Sequence, residues 1–125
     1  MKALTGYTRQ VMSTEQKILD ASNYVFLQNG YHGTTIQKIS DKAGVGKSQV
    51  HYYFRSKDNL YELAIKYAAD QLLSFNVAVK EDNEKALNSR WFIATELRNN
   101  KVVFLQVVDK LFPGDLSGIF DSICE

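Results

Sequence analysis

Apolar side chains recur at intervals of three and four along nearly all of this chain, and a single proline, Pro113, interrupts them. That interval is the repeat of an α-helix with one buried face. No segment alternates apolar and polar residues as a half-buried strand does, so an all-α fold with short turns is expected. Ser13-Thr14-Glu15-Gln16 has the form of a capping box, in which Ser13 accepts from the Gln16 amide and Gln16 reaches back. Behind it Ile18, Ala21 and Val25, with Leu19, Ser22 and Phe26, make an apolar stripe, and Asn29-Gly30 closes a helix over roughly 14–29. Thr34-x-x-Gln37 offers a second capping box, for a two-turn helix that carries Ile36, Ile39 and Ala43. Gly44-Val45-Gly46 breaks it, a second short helix covers Lys47–Phe54, and Ser56 caps a long one reaching Phe75. Two more are expected over about Asn83–Asn99 and Lys101–Phe112. The last is apolar almost all round, which predicts burial on several sides. Pro113-Gly114 stops it, and Asp115 or Ser117 starts a seventh.

The two short helices around Gly44 have the proportions of a helix-turn-helix: a steep crossing over a turn of three or four residues, often containing glycine. Ala43 is small where the helices approach, Gly44 permits positive φ, and Val45 can fill the space between them. Val50 and Phe54, four residues apart, anchor the second helix to a core. That leaves Lys47, Ser48, Gln49 and His51 facing outward. These side chains suit base edges: Lys reaches guanine acceptors, Gln pairs with adenine through both atoms of its amide, and Ser and His donate or accept. Tyr52, Tyr53, Arg55 and Lys57 suit phosphates, which fix register without reading sequence. The hydroxyls of Thr34 and Thr35, with the amides that open the preceding helix, form a further phosphate seat, and Lys38 adds charge there.

Charge supports this division. Residues 1–57 carry eight basic and three acidic side chains, and the rest carries seven against eleven, although the whole chain is only +1. A basic front and an acidic back describe a polyanion-binding head on a body that avoids polyanions. The lone Cys124 offers no internal disulfide and no metal-ligand cluster, and no cofactor is called for. No apolar run is long enough to span a bilayer, and the first residues lack a secretory pattern, so a soluble cytoplasmic protein is expected. Gly44-Val45-Gly46-Lys47-Ser48 imitates the end of a phosphate-binding loop. The full motif needs glycine where Asp41 stands, and a preceding strand. An enzyme is not expected.

The stretch from Gly30-Tyr31-His32-Gly33-Thr34-Thr35-Ile36 through Ala43-Gly44-Val45-Gly46-Lys47-Ser48 to Tyr52-Tyr53-Phe54, Ser56-Lys57 and Leu60 resembles the TetR family of bacterial transcriptional regulators. The resemblance covers about Ser13–Leu72. It implies a helical homodimer that binds a palindromic operator in double-stranded DNA, usually as a repressor, with a C-terminal helical domain that takes a small-molecule effector and draws the two heads apart. It implies a recognition helix at Lys47–Phe54, a phosphate contact from Lys57 at the start of the fourth helix, and Thr35 at the start of the second. Gly46 stands where many members carry a serine cap. Residues 1–56 are therefore expected to form the DNA-binding head, and 57–125 a helical effector-binding and dimerisation body. By the same resemblance the chain ends near the seventh helix, so that body is expected to be short or incomplete.

Trp91, Phe92, Phe104 and Phe112 are candidates for lining an effector pocket, though core packing uses the same side chains. Arg90, Glu96 and Arg98 lie near them in sequence, to orient a polar ligand or to sit on the surface. A second reading comes from the apolar Val102–Phe112 helix: a shortened protein-interaction module that pairs with a full-length regulator.

Overall fold

The computed structural model describes residues 12–75 and 84–114, and these described residues form six helices. They are α1 (Thr14–Asn29), α2 (Ile36–Ala43), α3 (Lys47–Phe54), α4 (Lys57–Phe75), α5 (Glu84–Asn99) and α6 (Lys101–Leu111). No strand occurs among the described residues. The expected seventh helix lies outside them.

The helix ends follow local chemistry. Ser13 Oγ accepts from the Gln16 amide at 3.1 Å. Gln16 does not complete the box, because its side chain donates instead to Asp20 Oδ1 at 2.9 Å. The second cap is shifted by one residue from the sequence reading: Thr35, not Thr34, stands at the N-cap of α2 and accepts from the Lys38 amide at 3.0 Å. At the other end of α2, Gly44 adopts the left-handed conformation (φ 75°, ψ 32°). The Gly44 and Val45 amides then both donate to the Ser40 carbonyl, at 2.9 and 3.1 Å. This turn is what lets α3 follow after three residues. Ser56 Oγ caps α4 by accepting from the Asn59 amide at 3.1 Å.

α1 packs against α2, α4 and α5, while α4 also packs against α3, α5 and α6. One buried cluster therefore runs from Ile18 and Phe26 through Leu60, Tyr61 and Ile65 to Phe92, Phe104 and Val108. Lys110 adds a surface ion pair to Glu62 at 2.8 Å between α6 and α4, a kind of pair worth about 0–1 kcal/mol. Among the described residues no helix is long and apolar enough to cross a membrane.

α6 departs from expectation. Phe104 and Val108 are buried, but Val102 is 71% exposed and Val103 is also exposed. Among the described residues this helix packs chiefly against α4 and α5, which cover one face and not several.

Candidate nucleic-acid interface

α3 is held from below by Val50 and Phe54, both buried. Lys47, Ser48, Gln49, His51, Tyr52 and Tyr53 are all exposed. Tyr52 is 75% exposed, and its ring meets that of Tyr53 edge-on with centroids 4.9 Å apart. Two adjoining aromatic rings on an outer face pay for their exposure only when something covers them.

Two of the expected base readers already have local partners. The Gly46 amide donates to Gln49 Oε1 at 3.3 Å, the return half of a capping box. His51 Nδ1 lies 3.0 Å from the Arg55 carbonyl. A carbonyl only accepts, so Nδ1 carries the proton in this contact, and in the neutral ring Nε2 is left as an outward acceptor.

Arg55 itself has φ 75° and ψ −49°, and the Ser56 amide donates across it to the Phe54 carbonyl at 2.8 Å. This is the geometry of a γ-turn of the rare, strained hand. It joins α3 to α4 with one residue pair between them.

The phosphate candidates divide. Thr35 is exposed, though its hydroxyl already caps α2. Lys38 Nζ donates to the Gly33 carbonyl at 2.7 Å and remains exposed. Arg55 is exposed. Lys57 is half-buried, with its ammonium 3.9 Å from the centre of the Tyr31 ring. Partial desolvation there lowers the Lys57 pKa, against the opposing pull of Asp58 and Glu96. Thr34 must be corrected. It is fully buried, and its hydroxyl donates to the Gly30 carbonyl at 2.7 Å. A side chain with no exposed surface reaches no phosphate, so Thr34 fastens the turn before α2 instead.

The four aromatic candidates for an effector pocket differ in their surroundings. Phe92 and Phe104 are fully buried, Phe112 packs partly buried against the core, and Trp91 is 52% exposed. Trp91 follows Leu87 by one helical turn, and both lie on the outer face of α5. A groove of about 420 Å³ lies elsewhere, among Asp20, Tyr24, Tyr67 and Glu84.

Sequence reasoning missed three residues that shape this region. Tyr31 forms the platform under Lys57 and donates its hydroxyl to Asp58 Oδ1 at 2.7 Å. Tyr24 lies beneath the Lys42 ammonium at 4.2 Å. Glu96 is not on the surface but 1% exposed. The tyrosines carried a weak signal, an aromatic in reach of a lysine in a basic segment. Glu96 carried none.

Residues 18–64 match the model of the bacterial regulatory proteins of the tetR family. Over this region the chain is similar to that family. Its similarity to the HTH-type transcriptional regulator RutR of Escherichia coli K12 is 38% identity over 79 residues, 62% of this chain and 37% of that one. It is 34% identical over 58 residues to IcaR, the negative regulator of the biofilm operon icaADBC of Staphylococcus aureus strain Newman, covering 46% of this chain and 31% of that one. The chain thus spans about a third of the length of these curated relatives. Among solved structures it is similar to a mutant HlyIIR protein, with a TM-score of 0.53 and 25% identity over 85% of this chain and 67% of the other. The tetR-family match takes in α2 and α3 whole and runs into α4, and so includes both Tyr31 and Lys57.

Proposed function

We propose that this chain is a sequence-specific DNA-binding regulator of transcription, a repressor that works as a homodimer on a palindromic operator in the cytoplasm. The observation that carries the reading is α3: eight residues with Val50 and Phe54 turned inward and every polar side chain and both tyrosines turned out. In this reading Lys47, Ser48, Gln49 and His51 meet base edges, and Thr35, Lys38, Tyr52, Tyr53, Arg55 and Lys57 meet phosphates. Gln49 must let go of the Gly46 amide to offer both atoms of its side-chain amide to adenine. His51 Nε2 pairs with a base that donates, such as the amino group of adenine or cytosine. Tyr52 and Tyr53 lose their solvent exposure against the sugar-phosphate backbone.

Residues up to 56 serve as the head and those from 57 as the body, with α4 belonging to the core of both. A small effector bound by the body would favour a head separation that no longer fits half-sites about 34–36 Å apart. The negative regulator IcaR, as a relative, supports repression, and the exposed Leu87, Trp91 and Val102 support association through the body.

Selection of duplexes from a random pool by the purified protein, followed by titration at physiological salt, tests the reading. The enriched duplex should be a palindrome, bound as a pair of chains and at least about a thousand times more tightly than random sequence. No enrichment, or equal affinity for both, defeats sequence-specific binding.

A further inference from the structure

Glu96 is a carboxylate in the body, on α5, yet its partners belong to the elements that carry the phosphate clamp. Its Oε2 accepts from the Tyr31 amide at 3.4 Å, across 65 residues of sequence. Its Oε1 accepts from the Tyr61 hydroxyl, which in turn accepts from Asn100 Nδ2 at 3.1 Å. The fit against the turn is close: a Cβ on Gly30, whose φ is +75°, would stand 2.8 Å from Oε2. Tyr31 and Tyr61 meet edge to face with ring centres 4.7 Å apart, and the Lys57 ammonium stands on the far partner of that pair, the Tyr31 ring. A buried carboxylate held by two neutral donors is a costly way to fill space. Its charge also acts on Lys57, together with that of Asp58.

We infer that Glu96 is a positioning residue for DNA binding: from the body it fixes the Gly30–Tyr31 turn, and so holds the platform that places the Lys57 ammonium for a phosphate. The inference rests on the DNA-binding reading above. A lysine already ordered over a ring loses less rotamer freedom when it takes a phosphate, and the negative field of Glu96 and Asp58 keeps it there. A change in the body that shifts Glu96 therefore reaches the clamp directly, without passing through α3.

The test uses the full chain and a short duplex of random sequence, because a phosphate clamp acts on any sequence. Glu96→Gln keeps the size of the side chain but removes its charge and one acceptor. Affinity should fall severalfold, and the dependence of log K on log salt should become shallower by up to about one unit, the mark of one lost phosphate contact. The same substitution made in a Lys57→Ala background should change neither quantity further. A residue with a merely structural role would weaken binding alike in both backgrounds and leave the salt slope alone. That result, or wild-type affinity and slope for Glu96→Gln, overturns the inference. Glu96→Asp keeps the charge but draws back from the Tyr31 amide; it should give the same coupled loss, and it decides the matter if the glutamine variant does not fold. Failure of the wild-type chain to bind the duplex at low salt would instead defeat the DNA-binding reading itself.

Discussion

In the proposed function, single side chains divide into those that read, those that clamp and those that only hold the turn. Gln49→Ala should relax base preference at one operator position while leaving affinity for random duplex nearly unchanged. Lys57→Ala should weaken binding to all sequences and make the salt slope shallower by about one unit. Parallel salt titrations on selected and random duplexes separate the two, and equal effects on both would undo the division. Thr34→Val is a control of another kind. It removes the buried hydroxyl that reaches the Gly30 carbonyl and should lower stability by about 1–3 kcal/mol in denaturant titration, with the salt slope of the folded protein unaltered. A changed slope would restore Thr34 to the phosphate seat.

At the scale of helices and turns, the joint at Arg55 stands out because its backbone is strained for any residue with a side chain. Arg55→Gly should raise stability by about 1 kcal/mol through relief of that strain, whereas Arg55→Lys should leave stability near the wild-type value. Their unfolding midpoints make the comparison, and a glycine variant no more stable than the lysine one would show the turn to be unstrained. Much at this scale was legible in the sequence. The limits of α1, α3 and α4, and the glycine turn between α2 and α3, follow from caps and apolar spacing that local chemistry dictates. Tandem threonines offer two equivalent caps, and the choice of Thr35 depends on how the turn at 30–33 folds back to bind Thr34, which no local rule contains. In the sequence Glu96 reads as a ligand-orienting or a surface acid, because its charge argues for a partner or for solvent; only the packing of the helices encloses it. α6 erred in the opposite direction: its composition announces burial, but composition does not say how many neighbours arrive.

For the molecule as a whole, the shared core predicts a response to alkali. Burial, and then the bond to Glu96, raise the Tyr61 pKa well above its ordinary 10.0, and the bond to Asp58 raises that of Tyr31. A group whose folded pKa is raised contributes fully below its unfolded value and loses that contribution as pH climbs beyond it. Stability should therefore hold up to about pH 10 and decline above it. Tyr61→Phe, less stable at neutral pH for want of its hydrogen bond, should decline less steeply. Denaturant midpoints between neutral and strongly alkaline pH measure both, and parallel slopes for the two proteins would remove Tyr61 as the cause.

The γ-turn at Arg55 has a mechanical meaning as well. With a single residue pair between α3 and α4, and one unusual setting of the backbone at that point, the joint behaves as a weld. α4, at 19 residues, is then a lever about 28 Å long. A tilt of about five degrees at its far end is worth about 2.5 Å at the tip, several times the tolerance of a hydrogen bond to a base edge. If α3 is the reading helix that we propose, such a tilt of α4 would be felt directly at the DNA.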